Sequence, residues 1–135
     1  MAYKIGDRMQ QTFLPSSIDQ YVSEADPVRV YDAFVDALDF AQLGIPITPF
    51  KAGADTYYPK QMVKLIVYGY SYGLRSSRKL ERACQHNLSF IWLMGGLTPA
   101  YRTIARFRDQ HKAAIKQILK QAVKMCIKLD LIDGN

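Results

Sequence analysis

Prolines and glycines punctuate this chain where helices start and stop. Asp26-Pro27, Tyr58-Pro59 and Thr98-Pro99 each place a proline where a helix can begin, because amides of the first turn need no helical partner. Gly44, Gly73 and Gly95-Gly96 stand where helices can close on a left-handed residue. Between these marks the apolar residues recur at helical spacing, as in Tyr31, Phe34, Val35 and Leu38, then Met62, Leu65, Ile66 and Gly69 or Tyr70. The pattern predicts an all-α, multi-helix domain.

Met1 to Ala25 has weak periodicity and a Leu14-Pro15-Ser16-Ser17 turn, which predicts an irregular arm. Asp26 caps the first helix, which runs to Gly44 and Pro46 with Asp32, Asp36 and Asp39 on a solvated side. A loop with Pro46, Pro49 and Gly53 leads to a second helix from Pro59 to about Gly73. Ser76 opens a short basic helix to Gln85, and Ser89 to Met94 forms a fourth, with Trp92 in the core. Thr98-Pro99 caps and begins a long C-terminal helix to about Leu129, roughly 45 Å if unbroken. Its apolar seam, Ile104, Phe107, His111, Ile115, Ile118, Ala122, Met125 and Leu129, is heptad-like, and a bend near Gln110-His111 stays open. On its outside Arg108, Lys112, Lys116, Lys120, Lys124 and Lys128 recur every four residues and wind slowly round the helix.

Charge divides along the chain. Met1 to Tyr58 holds four Lys or Arg against eight Asp or Glu, a net of −4, whereas Pro59 onward holds fourteen against four, a net of +10. The overall +6 is therefore an acidic front and a strongly basic back, and the back suits a polyanion. With 135 residues, 49% apolar and 22% charged, one soluble domain covering residues 1–135 is expected, residues 1–25 being its arm. Cys84 and Cys126 form no C-x-x-C pair, which fits a reducing, cytoplasmic setting.

Other chemistries find little support. The longest uncharged stretch, Ala83 to Tyr101, carries Gln85, His86, Asn87, Ser89, two glycines and Pro99, so no membrane partner is expected. His86 and His111 lack the neighbours of a metal site, His111 reads as a core histidine, and the basic half has only Glu81, Asp109, Asp130 and Asp133 as carboxylates. No catalytic residue, cofactor, metal or small-molecule substrate is expected.

The order helix, glycine, basic helix, Gly-Gly, helix is that of a helix-turn-helix-like unit, whose second helix lies in the major groove. With Ile104 and Phe107 facing the core, Arg102, Thr103 and Arg106 project together and Gln110 follows a turn later, side chains able to reach base edges. Arg75, Arg78, Lys79 and Arg82 surround a helix start and suit phosphates, joined by Arg108 and Lys112. The plain alternative leaves Arg102 and Arg106 as surface charges beside Asp109 or solvent, and Tyr57, Tyr58, Tyr68, Tyr70, Tyr72 and Tyr101 as core or rim residues.

The run Tyr58-Pro59-Lys60-Gln61-Met62-Val63-Lys64-Leu65-Ile66-Val67-Tyr68-Gly69-Tyr70, then Gly73-Leu74-Arg75-Ser76-Ser77-Arg78-Lys79-Leu80-Glu81, Trp92-Leu93, and Pro99 with Thr103-Ile104-Ala105-Arg106-Phe107-Arg108, resembles the amino-terminal domain of bacterial insertion-sequence transposases of the DDE type. Thr12-Phe13-Leu14-Pro15 and Val28 through Val35 also fit, so the resemblance covers nearly the whole chain. It implies a domain that binds double-stranded DNA at terminal inverted repeats, in a bacterial cytoplasm at the nucleoid. It further implies an RNase H-like catalytic domain, with carboxylate-held divalent metal, outside this chain. Asp133 precedes Gly134-Asn135 instead of the expected Gly-Thr, so it receives no catalytic role. Two other readings stand beside this one: a protein-pairing module that forms a homodimer through the C-terminal helix, and a repressor made of a truncated transposase.

Overall fold

The structure, a computed structural model, describes residues 3–47 and 57–129. Most of the loop expected between Gly44 and Tyr58, and Asp130 and Asp133, lie outside the described residues. Among those described there is no strand. A 3-10 helix (Ile18–Tyr21) precedes α1 (Pro27–Asp36), α2 (Phe40–Leu43), α3 (Pro59–Tyr72), α4 (Ser77–His86), α5 (Leu88–Met94), α6 (Tyr101–Gln110) and α7 (Lys112–Lys128).

Local chemistry sets most of these boundaries. Asp26 accepts from the Val28 amide at 2.9 Å with Pro27 at the first helical position, and Gly73 closes α3 at φ 88°. The first helix is shorter than the sequence predicts. It stops at Asp36, and Asp39 starts α2 afresh by accepting from the Gln42 amide at 3.2 Å.

The long C-terminal helix is present as α7, of 17 residues, but the span expected to run as one helix from Thr98 to about Leu129 is divided in two. His111, at φ −124° and ψ 31°, ends α6 and begins α7. An unbroken seam would carry the His111 imidazole into the middle of the buried side, where an unpartnered polar ring is costly. At the break it is half-buried against Phe107, the ring centres 4.6 Å apart, so it is not the core histidine expected.

The core is built around α5, which packs on α1, α3, α4 and the 3-10 helix. Phe90 is fully buried among Met62, Leu65, Leu80, Val28 and Val35. The α7 seam joins this core: Ile115, Ile118 and Ala122 are buried, with Cys126 in place of Met125, while Leu129 is exposed. The seam is thus used within the chain, and a homodimer through the C-terminal helix has to use its outer side. Where α3 meets α4, Gly69 makes room for Leu80; a Cβ there would run into Leu80 Cδ2 and approach the Leu74 carbonyl to 3.0 Å.

Three long-range contacts depart from the sequence reading. Asp32 and Asp36 do not form a merely solvated side of α1: they clasp Lys64 Nζ of α3 at 2.7 and 2.9 Å. The arm is not irregular throughout, because its 3-10 helix is tied down by Asp19, which accepts from Trp92 Nε1 at 3.0 Å and pairs with Arg29 at 3.4 Å. Trp92 accordingly sits half-buried at the rim under the Arg29 guanidinium, which lies 4.8 Å from its ring centre. Ahead of that tie the arm is exposed, Phe13 to 95%.

These contacts predict an alkaline limit to stability. Burial pushes the Cys84 thiol from 9.0 to about 12, and burial with the Cys126 hydrogen bond pushes the Tyr31 hydroxyl from 10.0 to about 12. Burial alone would lower Lys64, but its bonds to Asp32 and Asp36 and their charges prevail and hold it above 10.5. All three values are raised on folding, so their stabilisation is complete below the unfolded values and is lost as pH rises through the folded ones. The thermal midpoint is expected to be level from neutrality to about pH 9 and to fall between about pH 9 and 12. Lys64→Met should remove the lysine part of that fall. A midpoint already dropping below pH 9 would contradict the assignment.

Candidate nucleic-acid interface

Each basic helix sorts its residues by angle. On α4 the buried residues are Leu80, Ala83 and Cys84, which leaves Arg78, Lys79 and Arg82 within an arc of about 100° on the exposed side. On α6 Ile104 is fully buried and Phe107 packs on the core. Arg102, Thr103, Arg106 and Gln110 fall within a similar arc of about 100° facing away; Thr103 is half-buried and the others are exposed.

Two contacts fix α4 against α6. Glu81 Oε1 accepts from the Tyr101 amide at 3.1 Å, so a carboxylate of one helix caps the start of the other. This corrects the expected start. The helix begins at Tyr101 rather than Thr98-Pro99, and Ala100 at the cap position contributes no side-chain bond, because Glu81 satisfies an amide of the first turn. The Tyr101 ring also lies under two guanidinium groups, Arg78 at 4.1 Å and Arg102 at 5.8 Å, and Arg102 Nε donates to the Tyr101 hydroxyl at 3.2 Å. Stacking of this kind orients an arginine while leaving part of its hydrogen-bonding edge open.

The remaining expected phosphate residues gather elsewhere. Arg108 projects about 240° round α6 from Arg102, away from the outward four. It is half-buried and its Nη1 donates to the Arg75 carbonyl at 2.6 Å; burial lowers its pKa, with the Asp109 charge opposing. Arg75 stacks over Tyr70 at 4.6 Å, and Lys112 lies beyond the helix break, exposed on α7. The ten sequence-predicted residues therefore divide into an α4–α6 group and a group of Arg75, Arg108 and Lys112 beside α3 and α7. Sequence reasoning did not place Tyr101 and Glu81 in the site. Their signal was weak, an aromatic and a carboxylate in a run of cations, 20 residues apart.

Among the described residues, Lys79, Arg82, Arg102 and Arg106 form no ion pair. No group of three His, Cys, Asp or Glu among them could hold a metal, and no helix among them is long and apolar enough to cross a membrane. Both cysteines are free.

The fold and this face define an all-helical domain with an uncompensated cationic surface. The chain belongs to the transposase-domain family DUF772, whose model matches residues 16–110, from just ahead of the 3-10 helix through the last residue of α6. Comparison with curated proteins and with solved structures returned no match.

Proposed function

We propose that this domain binds double-stranded DNA and recognises the terminal inverted repeats of an insertion element during transposition, as the non-catalytic DNA-binding part of a DDE-type transposase in the bacterial cytoplasm. The observation that carries the reading is the α4–α6 face, where exposed cations from two helices meet without carboxylate partners and α6 presents Arg102, Thr103, Arg106 and Gln110 side by side. Helices α4 to α6 act as a helix-turn-helix-like unit with α6 in the major groove. Arginine matches guanine O6 and N7, and Gln110 matches adenine. Arg78, Lys79 and Arg82 of α4 hold phosphates and set the register, whereas Arg75, Arg108 and Lys112, expected to do the same, lie beside α3 and α7 and outside this contact. Membership of a transposase-domain family supports the biological setting. Cutting and joining belong to metal-bound carboxylates that this reading assigns to no residue here.

Anisotropy titration of the chain with a labelled duplex of the element end, and with a scrambled duplex, over a salt series tests the proposal. Three phosphate contacts predict a slope of log affinity against log salt of about −3. The element end should bind more tightly than the scrambled duplex. A flat salt response, or no binding at low salt, would sink the reading.

A further inference from the structure

A second basic feature lies along α7. Tyr70 of α3 with Ile115, Leu119 and Val123 of α7 floors an open cavity of about 580 Å³. Its rim is cationic: Arg108, Lys112, Lys116, Lys120 and Lys124 all line it, although four-residue spacing alone would wind them away from one another. Beside Leu119 and Val123 a recess of about 110 Å³ continues inward to Tyr31, Ser71 and Cys126. Among the described residues none of the five cations makes an ion pair.

We infer that this groove binds an acidic amphipathic segment of a protein, its apolar side chains on the floor and its carboxylates on the lysine rim. Charge alone does not select this partner, since phosphates would also meet the lysines. The floor selects it. A sugar-phosphate strand laid across Ile115, Leu119 and Val123 would cover apolar surface with charged oxygens and gain nothing from it, whereas aliphatic side chains gain from the same contact. Helices dock into such grooves by apolar anchors at i, i+3, i+4 and i+7. Carboxylates four residues apart on such a helix recur about every 6 Å, the same interval as Lys112, Lys116, Lys120 and Lys124. The lysine positions lie beyond the residues matched by the family model, and the proposal does not depend on the DNA reading, whose α4–α6 residues do not line this groove.

The test uses a fluorescein-labelled peptide of about fifteen residues, long enough to span the rim, with Leu at helical spacing and Glu between, beside a scramble of equal composition. Anisotropy with the whole chain should show saturable binding of the patterned peptide, about tenfold tighter than the scramble. Lys116→Glu with Lys120→Glu, both exposed, should weaken it about tenfold or more, as should Val123→Asp if circular dichroism shows that variant folded. Arg102→Ala with Arg106→Ala should leave peptide affinity unchanged while reducing DNA affinity, which separates this groove from the α4–α6 face. Equal binding of both peptides, or no binding of either, overturns the inference. So does charge reversal at Lys116 and Lys120 that impairs duplex DNA and not the peptide, or a preference for phosphatidylglycerol vesicles over the peptide.

Discussion

Phe90→Ala is expected to remove about 3–5 kcal/mol of folding stability, a large part of the roughly 5–15 kcal/mol that holds a domain of this size. Phe90 is fully buried, and its ring meets Tyr68 at 4.8 Å and Tyr72 edge-on at 5.6 Å, with Tyr31 joining through Tyr68 at 5.5 Å. Truncation would empty the aromatic contact between α5 and α3 at a fully buried position, where close packing leaves a cavity that neighbours only partly fill. Urea unfolding followed by circular dichroism measures the loss, and Phe90→Leu should cost less than half as much. A loss below about 1 kcal/mol for the alanine variant would show that α5 is not the centre of the core. The variant also sets a standard for function, since every binding activity should fall together as the fold weakens.

The caps at Asp26 and Ser76 and the glycine stops were legible because their causes lie within a few residues, whereas the start expected at Thr98 falls at Tyr101 and the cap at Asp39 was missed. Asp26 and Ser76 reach amides two and three positions on, and Gly44, Gly73 and Gly95 take the left-handed φ of 79°, 88° and 60° that a helix end requires. The outward arc of α6 was legible for the same reason, since it follows from helix geometry once Ile104 is placed inside. What the sequence hid were partners far apart in the chain. Nothing near Asp32 and Asp36 announces Lys64, and nothing near Tyr101 announces the carboxylate of Glu81 or the guanidinium of Arg78. The break at His111 stood open in the sequence for a different reason. Its seam spacing continues through the break, so only the placement of a polar ring against the core distinguishes two helices from one. The same long-range packing divides the cations: Arg75 and Arg108 come together by a hydrogen bond across 33 residues, away from the residues that face outward on α6.

Replacing Arg102 and Arg106 by alanine is expected to remove most of the preference for element-end DNA, leaving the part read by Gln110, with the fold in place. Both side chains are exposed, and the loss of the Arg102 contact to Tyr101 removes about 0.5–1 kcal/mol at most from stability. A bidentate arginine on guanine discriminates by about 1–3 kcal/mol, so the pair should lower affinity for the correct duplex by about 2–6 kcal/mol, thirtyfold or more. Affinity for scrambled DNA should change far less, because base edges contribute little there. Lys79→Ala with Arg82→Ala should behave in the opposite manner: both duplexes weaken alike, and the salt slope becomes shallower by about 2 as two phosphate contacts are lost. Running the two double variants side by side over salt separates reading from holding. Were the arginine pair to weaken both duplexes equally and flatten the salt slope, Arg102 and Arg106 would be phosphate contacts and α6 would not be the reading helix; were neither duplex affected, the α4–α6 face would not be the DNA interface.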